Sequence, residues 1–343
     1  MNCFHKIILT KILFMFICTI VHINTYAEDA VIYYNSSTGR QTRSTGTIEN
    51  YSRYELTLRT TSGNILSIKT DNIIEVQAER PALYNEAEQR MNNREFDQAL
   101  PLLEKSLPMV SEEWMKQEIL ARQIECLYSL NRVEDAAQRY VQLVRLAPDS
   151  AFYDCVPLVW TSVELSSKMQ QMAQNWIRQQ NYPYVALLGA SFLLTSDKKN
   201  EAQTALAVLT KSDDSDVAAL AQLQLNRLSL TPLPMPTIKN LEMKTDALPK
   251  SLQFGPRFVL AQLWSRSSAG EIKTDKAAIN YLQCATNSKA PVEFQARAYY
   301  SAGSVLLSAN RRDEAFRVFN RLIDKCPDSQ WSQQAKRTID GGL

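Results

Sequence analysis

"NRRDEAFRVFNRLIDKCPDS", residues 310–329, and "NRVEDAAQRYVQLVRLAPDS", residues 131–150, place Asn, Arg, Ala, Leu and a closing Pro-Asp-Ser at the same positions of two segments 179 residues apart. Between those fixed points, apolar residues recur at three- and four-residue spacing, the period of a helix with one buried face. A short helix of this kind cannot enclose its own apolar side. A neighbouring copy can, so units that repeat along a chain imply stacking.

Working outward, the same frame recurs. In the last unit Tyr299, Ala302, Gly303 and Leu306 lie on a first helix, Ala315, Phe319 and Leu322 on a second, and Pro327 ends it. A second unit carries Leu120, Ile124, Leu127, Ala136, Tyr140, Leu143 and Pro148, and a third Leu83, Ala87, Phe96, Ala99 and Leu103. A weaker one has Leu187, Gly189, Ala190, Leu193, Ala202, Leu206 and Leu209. Small residues at Ala87, Ala99, Ala136, Ala190, Ala202, Gly303 and Ala315 let two helix backbones approach, and the large residue four positions on, such as Phe319, fills the space beside the contact. This frame resembles the tetratricopeptide repeat, whose period is roughly 34 residues. The resemblance implies a mainly α chain in which a solenoid of helix-turn-helix units occupies residues 80–228 and 254–343. Residues 150–180 and 254–287 read as further helix pairs that have lost the signature. Pro232, Pro234, Pro236 and Pro249 predict an extended connector over residues 229–253.

Residues 28–79 follow another rule. "AVIYY", "GTIENY", "YELTLRT", "NILSIK" and "IIEVQ" are short, β-branched and aromatic, and are separated by Gly39, Gly46, Gly63 and Asp71-Asn72. Five strands in so short a span avoid exposed edges by closing, which predicts a small β-barrel. The stretch from Gly46 to Val76 resembles the Sm-like and SH3-like barrels. Ser52 stands where the Sm-like family carries an RNA-holding aspartate, so the resemblance implies the fold without a nucleic-acid ligand.

The first 27 residues read as a secretory signal peptide: Lys6 and Lys11, an apolar run from Ile12 to Ile23, then a small-residue cut after Ala27. Membrane contact is then expected only through this leader before cleavage, and the protein is expected to be secreted, in the periplasm. Cleavage removes Lys6 and Lys11 from 38 basic side chains and none of the 36 acidic ones, leaving the two signs balanced. A balanced surface lacks the field that draws proteins onto phosphate backbones. The cut also removes His5 and His22, the only histidines, which excludes Ser-His-Asp and Cys-His catalysis and histidine metal sites. Of the remaining thiols, Cys126 with Cys155 and Cys284 with Cys326 are the disulfide pairings that join neighbouring units; four buried free thiols are the alternative.

No phosphate-binding glycine loop and no nucleophile elbow occurs, and no cofactor is expected. These readings together predict a non-enzymatic scaffold or adaptor. In tetratricopeptide proteins the first helices line a groove, and the resemblance places Tyr84, Glu88, Met91, Ala121, Glu125, Tyr128, Arg297, Tyr300 and Ser304 there as contacts for a protein or peptide partner. Two other readings stand beside it: an accessory protein or carboxylate-based hydrolase acting on cell-wall polymer, and a self-associating homo-oligomer.

Overall fold

A computed structural model of the chain describes residues 28–229, 231–270 and 272–341. The expected signal peptide lies outside the described residues. Two compact units emerge, one holding the sheet up to Ile48 and again over Thr57–Glu79, the other holding Glu49–Leu56 and everything from Arg80 onward.

Five strands form the sheet, all of it in the first unit except Glu49–Tyr51 and Glu55–Leu56: β1 (Asp29–Asn35), β2 (Arg40–Tyr51), β3 (Glu55–Thr60), β4 (Ile65–Lys69) and β5 (Ile73–Gln77). Asn35 starts the first turn by accepting from Ser37 N–H at 2.9 Å, and Gly39 completes it at φ +65°. β1 pairs antiparallel with both β2 and β5, with a bulge at Ile32/Tyr33 on the β5 side. A Cβ at Gly46 would stand 2.0 Å from the Arg59 carbonyl oxygen, so only glycine fits where β2 and β3 press together. Ala30, Val31, Ile48, Leu58 and Ile68 form the apolar interior.

The sheet does not close into the expected barrel. The strand order is β4-β3-β2-β1-β5, and β4 and β5 remain edges instead of joining each other. Both are only five residues long and carry charged side chains, Lys69 and Glu75, which blunt an edge without closing the sheet.

The second unit is helical: α1 (Ala82–Asn92), α2 (Phe96–Ser106), α3 (Glu113–Ser129), α4 (Val133–Leu146), α5 (Ser167–Trp176), α6 (Pro183–Leu193), α7 (Lys199–Leu209), α8 (Ser215–Asn226), α9 (Met235–Ala247), α10 (Phe254–Arg266), α11 (Ile272–Ala285), α12 (Val292–Ser308), α13 (Arg312–Lys325) and α14 (Gln330–Asp340). Each helix packs on the next except at one place, between α4 and α5, where α4 packs instead on α6.

The two matching segments of the sequence correspond to matching geometry. Asn131 and Asn310 adopt φ of 59° and 60° in the turns that open α4 and α13, and Arg94 takes 63° in the turn before α2. At each turn the following amide reaches back five residues, Arg132 to Leu127, Arg311 to Leu306 and Glu95 to Arg90, at 2.8 to 3.0 Å. Asparagine tolerates this left-handed conformation because its short amide is compatible with it. The closing serines also turn the chain: Ser329 Oγ accepts from Trp331 N–H at 3.2 Å, and Ser150 Oγ accepts from Phe152 N–H at 3.2 Å. Ala87, Ala99, Ala136, Ala190, Ala202, Ala315 and Phe319 are all fully buried, and Gly303 is buried against Phe319.

Two further expectations change. Residues 229–253 are not extended throughout, because Pro234 caps α9 and Pro236 sits in its first turn, where a missing N–H costs nothing and a fixed φ favours initiation. Residues 254–287 do form a helix pair, but residues 150–180 do not. There Tyr153–Cys155 makes a single 3₁₀ turn and Val156–Trp160 runs as a buried, non-helical strap. Its backbone groups are met by side chains: Tyr128 OH donates to Leu158 O at 2.6 Å, Gln224 Nε2 to Val159 O at 2.9 Å, and Val159 N–H to Ser191 Oγ at 3.1 Å. Arg227 also donates to Val159 O. Trp160 fills the space left by Gly255, where a Cβ would stand 2.1 Å from the indole. Among the described residues no helix is long and apolar enough to cross a membrane.

Candidate functional site

The α3 face presents Ala121, Arg122, Glu125 and Tyr128 at helical spacing, and these residues line one wall of a cleft of 210 Å³. The other walls come from segments without repeat signature: Phe152, Asp154, Cys155 and Val156 after α4, Ser251 and Phe254 before and at the start of α10, and Lys289 before α12. Asp154, Ser251 and Lys289 also line a larger polar cleft of 620 Å³, where Lys250, Arg257, Gln283 and Asn287 stand, so the two spaces share a boundary.

Charge in the smaller cleft is organised around two carboxylates. Arg122 Nε lies 2.9 Å from Glu88 Oε1, and its Nη1 donates to Glu125 Oε2 at 3.1 Å. Lys289 Nζ donates to the other Glu125 oxygen at 2.8 Å. Burial works against the Arg122 charge, but Glu88, Tyr84 and Glu125 hold its guanidinium above its ordinary range. Burial also pushes the Tyr128 phenol up, so it is a neutral donor to the strap. The Cys126 thiol beside this cluster is pushed up to about 12 by burial, with Glu125 and Glu88 adding to the effect. All four described cysteines are free thiols, so neither Cys126–Cys155 nor Cys284–Cys326 is joined. Cys126 and Cys284 instead serve as small apolar core residues.

Of the residues placed in a groove by the sequence, Ala121, Glu125 and Tyr128 line the cleft, and Glu88 supports it through Arg122. Tyr84 is 3% exposed and offers no docking surface. It packs against Arg80, whose guanidinium carbon lies 5.6 Å from its ring centre and which pairs with Glu118 at 3.0 Å. Met91 is half-buried and lines neither cleft. Arg297, Tyr300 and Ser304 form a separate cluster on α12. Arg297 stands 5.5 Å from the Phe258 ring and 5.6 Å from the Trp331 ring, and Tyr300 stacks at a tilt on Trp331 at 5.3 Å. Ser304 Oγ donates to the Tyr300 carbonyl at 2.9 Å.

An aromatic line connects the two groups. Tyr128 meets Phe254 at 6.2 Å, Phe254 meets Phe294 at 5.5 Å, and Phe294 meets Phe258 at 5.0 Å, on which Arg297 rests. These separations suit edge-on and tilted ring contacts. Sequence reasoning misses Asp154, Ser251 and Lys289, which come from turns, Phe254, which comes from a degenerate helix, and Phe294, which stands in the first turn of α12 ahead of the positions the repeat frame fixes; the aromatic spacing Phe254, Phe258 on α10 is the one local signal near them.

The sequence profile of the tetratricopeptide repeat matches residues 297–329, which takes in most of α12 and all of α13. No curated protein matches the chain. The chain is thus mainly helical, similar over this last unit to the tetratricopeptide repeat, and preceded by a five-stranded sheet.

Proposed function

We propose that the protein is a non-enzymatic scaffold of the secreted or periplasmic space that holds a protein or peptide partner at the α3 cleft. The observation that carries this reading is the meeting of Ala121, Glu125 and Tyr128, chosen by repeat position alone, in one cleft with Phe254 and Lys289. Tetratricopeptide units generally serve protein–protein interaction, and this cleft has the anatomy such contacts use: an apolar floor that takes one large side chain, with charged groups at its rim. The placement outside the cytoplasm rests on the reading of residues 1–27 as a secretory leader.

The test separates recognition from folding. The exchange Lys289→Glu, at an exposed position, reverses the rim charge and leaves the Arg122–Glu125 and Arg122–Glu88 pairs that hold the cleft in place. Affinity capture from an extract of the source cells, with wild type and the exchanged variant side by side, is expected to lose its specific partners in the variant although both proteins melt alike. Equal recovery by both proteins refutes the assignment of the cleft.

A further inference from the structure

Away from the α3 cleft, the second unit carries a site where an arginine of its own is already held between tyrosine and aspartate. Arg53, at the tip of the hairpin between β2 and β3 and part of the second unit, pairs with Asp214 and, at 2.7 Å, with Asp216. Its guanidinium carbon lies 3.9 Å from the centre of the Tyr153 ring and 5.6 Å from that of Tyr184. Beside it opens a cavity of 350 Å³, with Tyr182, Tyr184, Asp149 and Asp213 in its lining.

Three features of that lining are unused. Asp149 and Asp213 are exposed, and among the described residues neither carboxylate meets a hydrogen-bond or ion-pair partner. Tyr184 is 8% exposed, and its hydroxyl meets no hydrogen-bond partner. Tyrosine faces attract cations, most of all planar ones that can lie on the ring, and carboxylates supply the matching charge. We propose that this cavity receives a second guanidinium, the arginine side chain of a basic peptide segment. The incoming group stacks on the tyrosines as Arg53 does, pairs with Asp149 and Asp213, and gives the buried Tyr184 oxygen the N–H donor it lacks. Burial raises the Tyr184 phenol above its ordinary value, so it stays neutral and accepts. An ammonium has the charge without the plane and satisfies fewer of these groups.

The probe is acetyl-Gly-Arg-Gly-amide, titrated into the full chain at low salt and followed by ligand-observed NMR. The citrulline peptide, of the same shape but uncharged, and the lysine peptide are titrated in parallel. Saturable binding of the arginine peptide, at least about tenfold tighter than either comparator, supports the proposal. So does a loss of about tenfold in Asp149→Asn/Asp213→Asn protein. Equal binding of the citrulline peptide, equal binding of the lysine peptide, or no arginine binding up to about 10 mM overturns it. Should the double variant fail to fold by circular dichroism, the comparison of the three peptides on the wild type decides.

Discussion

Replacing Gly303 by alanine tests whether α12 and α13 cross as tightly as the repeat frame requires. A Cβ at that position would stand 2.3 Å from Cε1 of Phe319, 2.6 Å from Cδ1 and 2.8 Å from Cζ. Carbon atoms in contact settle at roughly 3.5–4.0 Å, so the ring or the helix must move by on the order of 1 Å. Phe319 has little room to yield, because it is fully buried and Tyr300, one turn before Gly303 on α12, already packs against its ring at 5.6 Å. Overpacking of this kind costs about 1–3 kcal/mol, and in a unit of this size about 2 kcal/mol lowers the melting temperature by roughly 4–8 °C. Calorimetry of the variant reads that shift directly. Phe319→Leu alone destabilises by leaving space, but in the Gly303→Ala background the smaller side chain yields to the new methyl. The double variant is therefore expected to be more stable than additivity predicts by about 1 kcal/mol. A Gly303→Ala protein that melts with the wild type, or strict additivity in the double variant, refutes the crossing described here.

Arg94 holds φ of 63° in a turn where its counterparts are asparagine, so Arg94→Gly is expected to raise stability by about 1 kcal/mol in urea unfolding; a drop in the midpoint counts against the shared turn geometry. The thiols give a pH dependence of defined sign. Cys126 is raised from 9.0 to about 12, chiefly by burial, so the folded chain keeps a proton that the unfolded chain releases above pH 9. Stability is unaffected by this group below its ordinary pKa and falls between there and about 12, by at most about 1.4 kcal/mol per pH unit. Urea midpoints at about pH 8 and about pH 10 are expected to diverge less in Cys126→Ala than in wild type, and identical slopes in the two proteins count against a buried protonated thiol.

What could be read before the structure was what the repeats control. Asn131, Asn310, Ser150 and Ser329 announce turns because each residue type answers a local backbone demand, and the small residues announce helix crossings because only they fit. Arg94 occupies the same kind of turn without the residue that advertises it. The sequence predicts helix at the strap Val156–Trp160 because the strap's partners, Gln224, Ser191 and Tyr128, lie far along the chain and leave no local trace. Proline content alone suggested extension over residues 229–253, whereas two of those prolines stand where a helix begins. Alternation and turn residues predicted the strands correctly, but closure depends on whether two short edges meet, which is a tertiary matter. The cleft divides the same way: its α3 wall follows from repeat position, while Asp154, Ser251, Phe254 and Lys289 arrive from segments whose placement only the assembled chain determines.

The most direct test of a docking role at this cleft is photo-crosslinking in the living source cells, with p-benzoylphenylalanine placed at Ser251, at Lys289 and, as a comparison, at the exposed Asp324 on α13. The account predicts that positions 251 and 289 trap the same partner and that position 324 does not. Equal trapping at all three positions, or trapping at 324 alone, would contradict it.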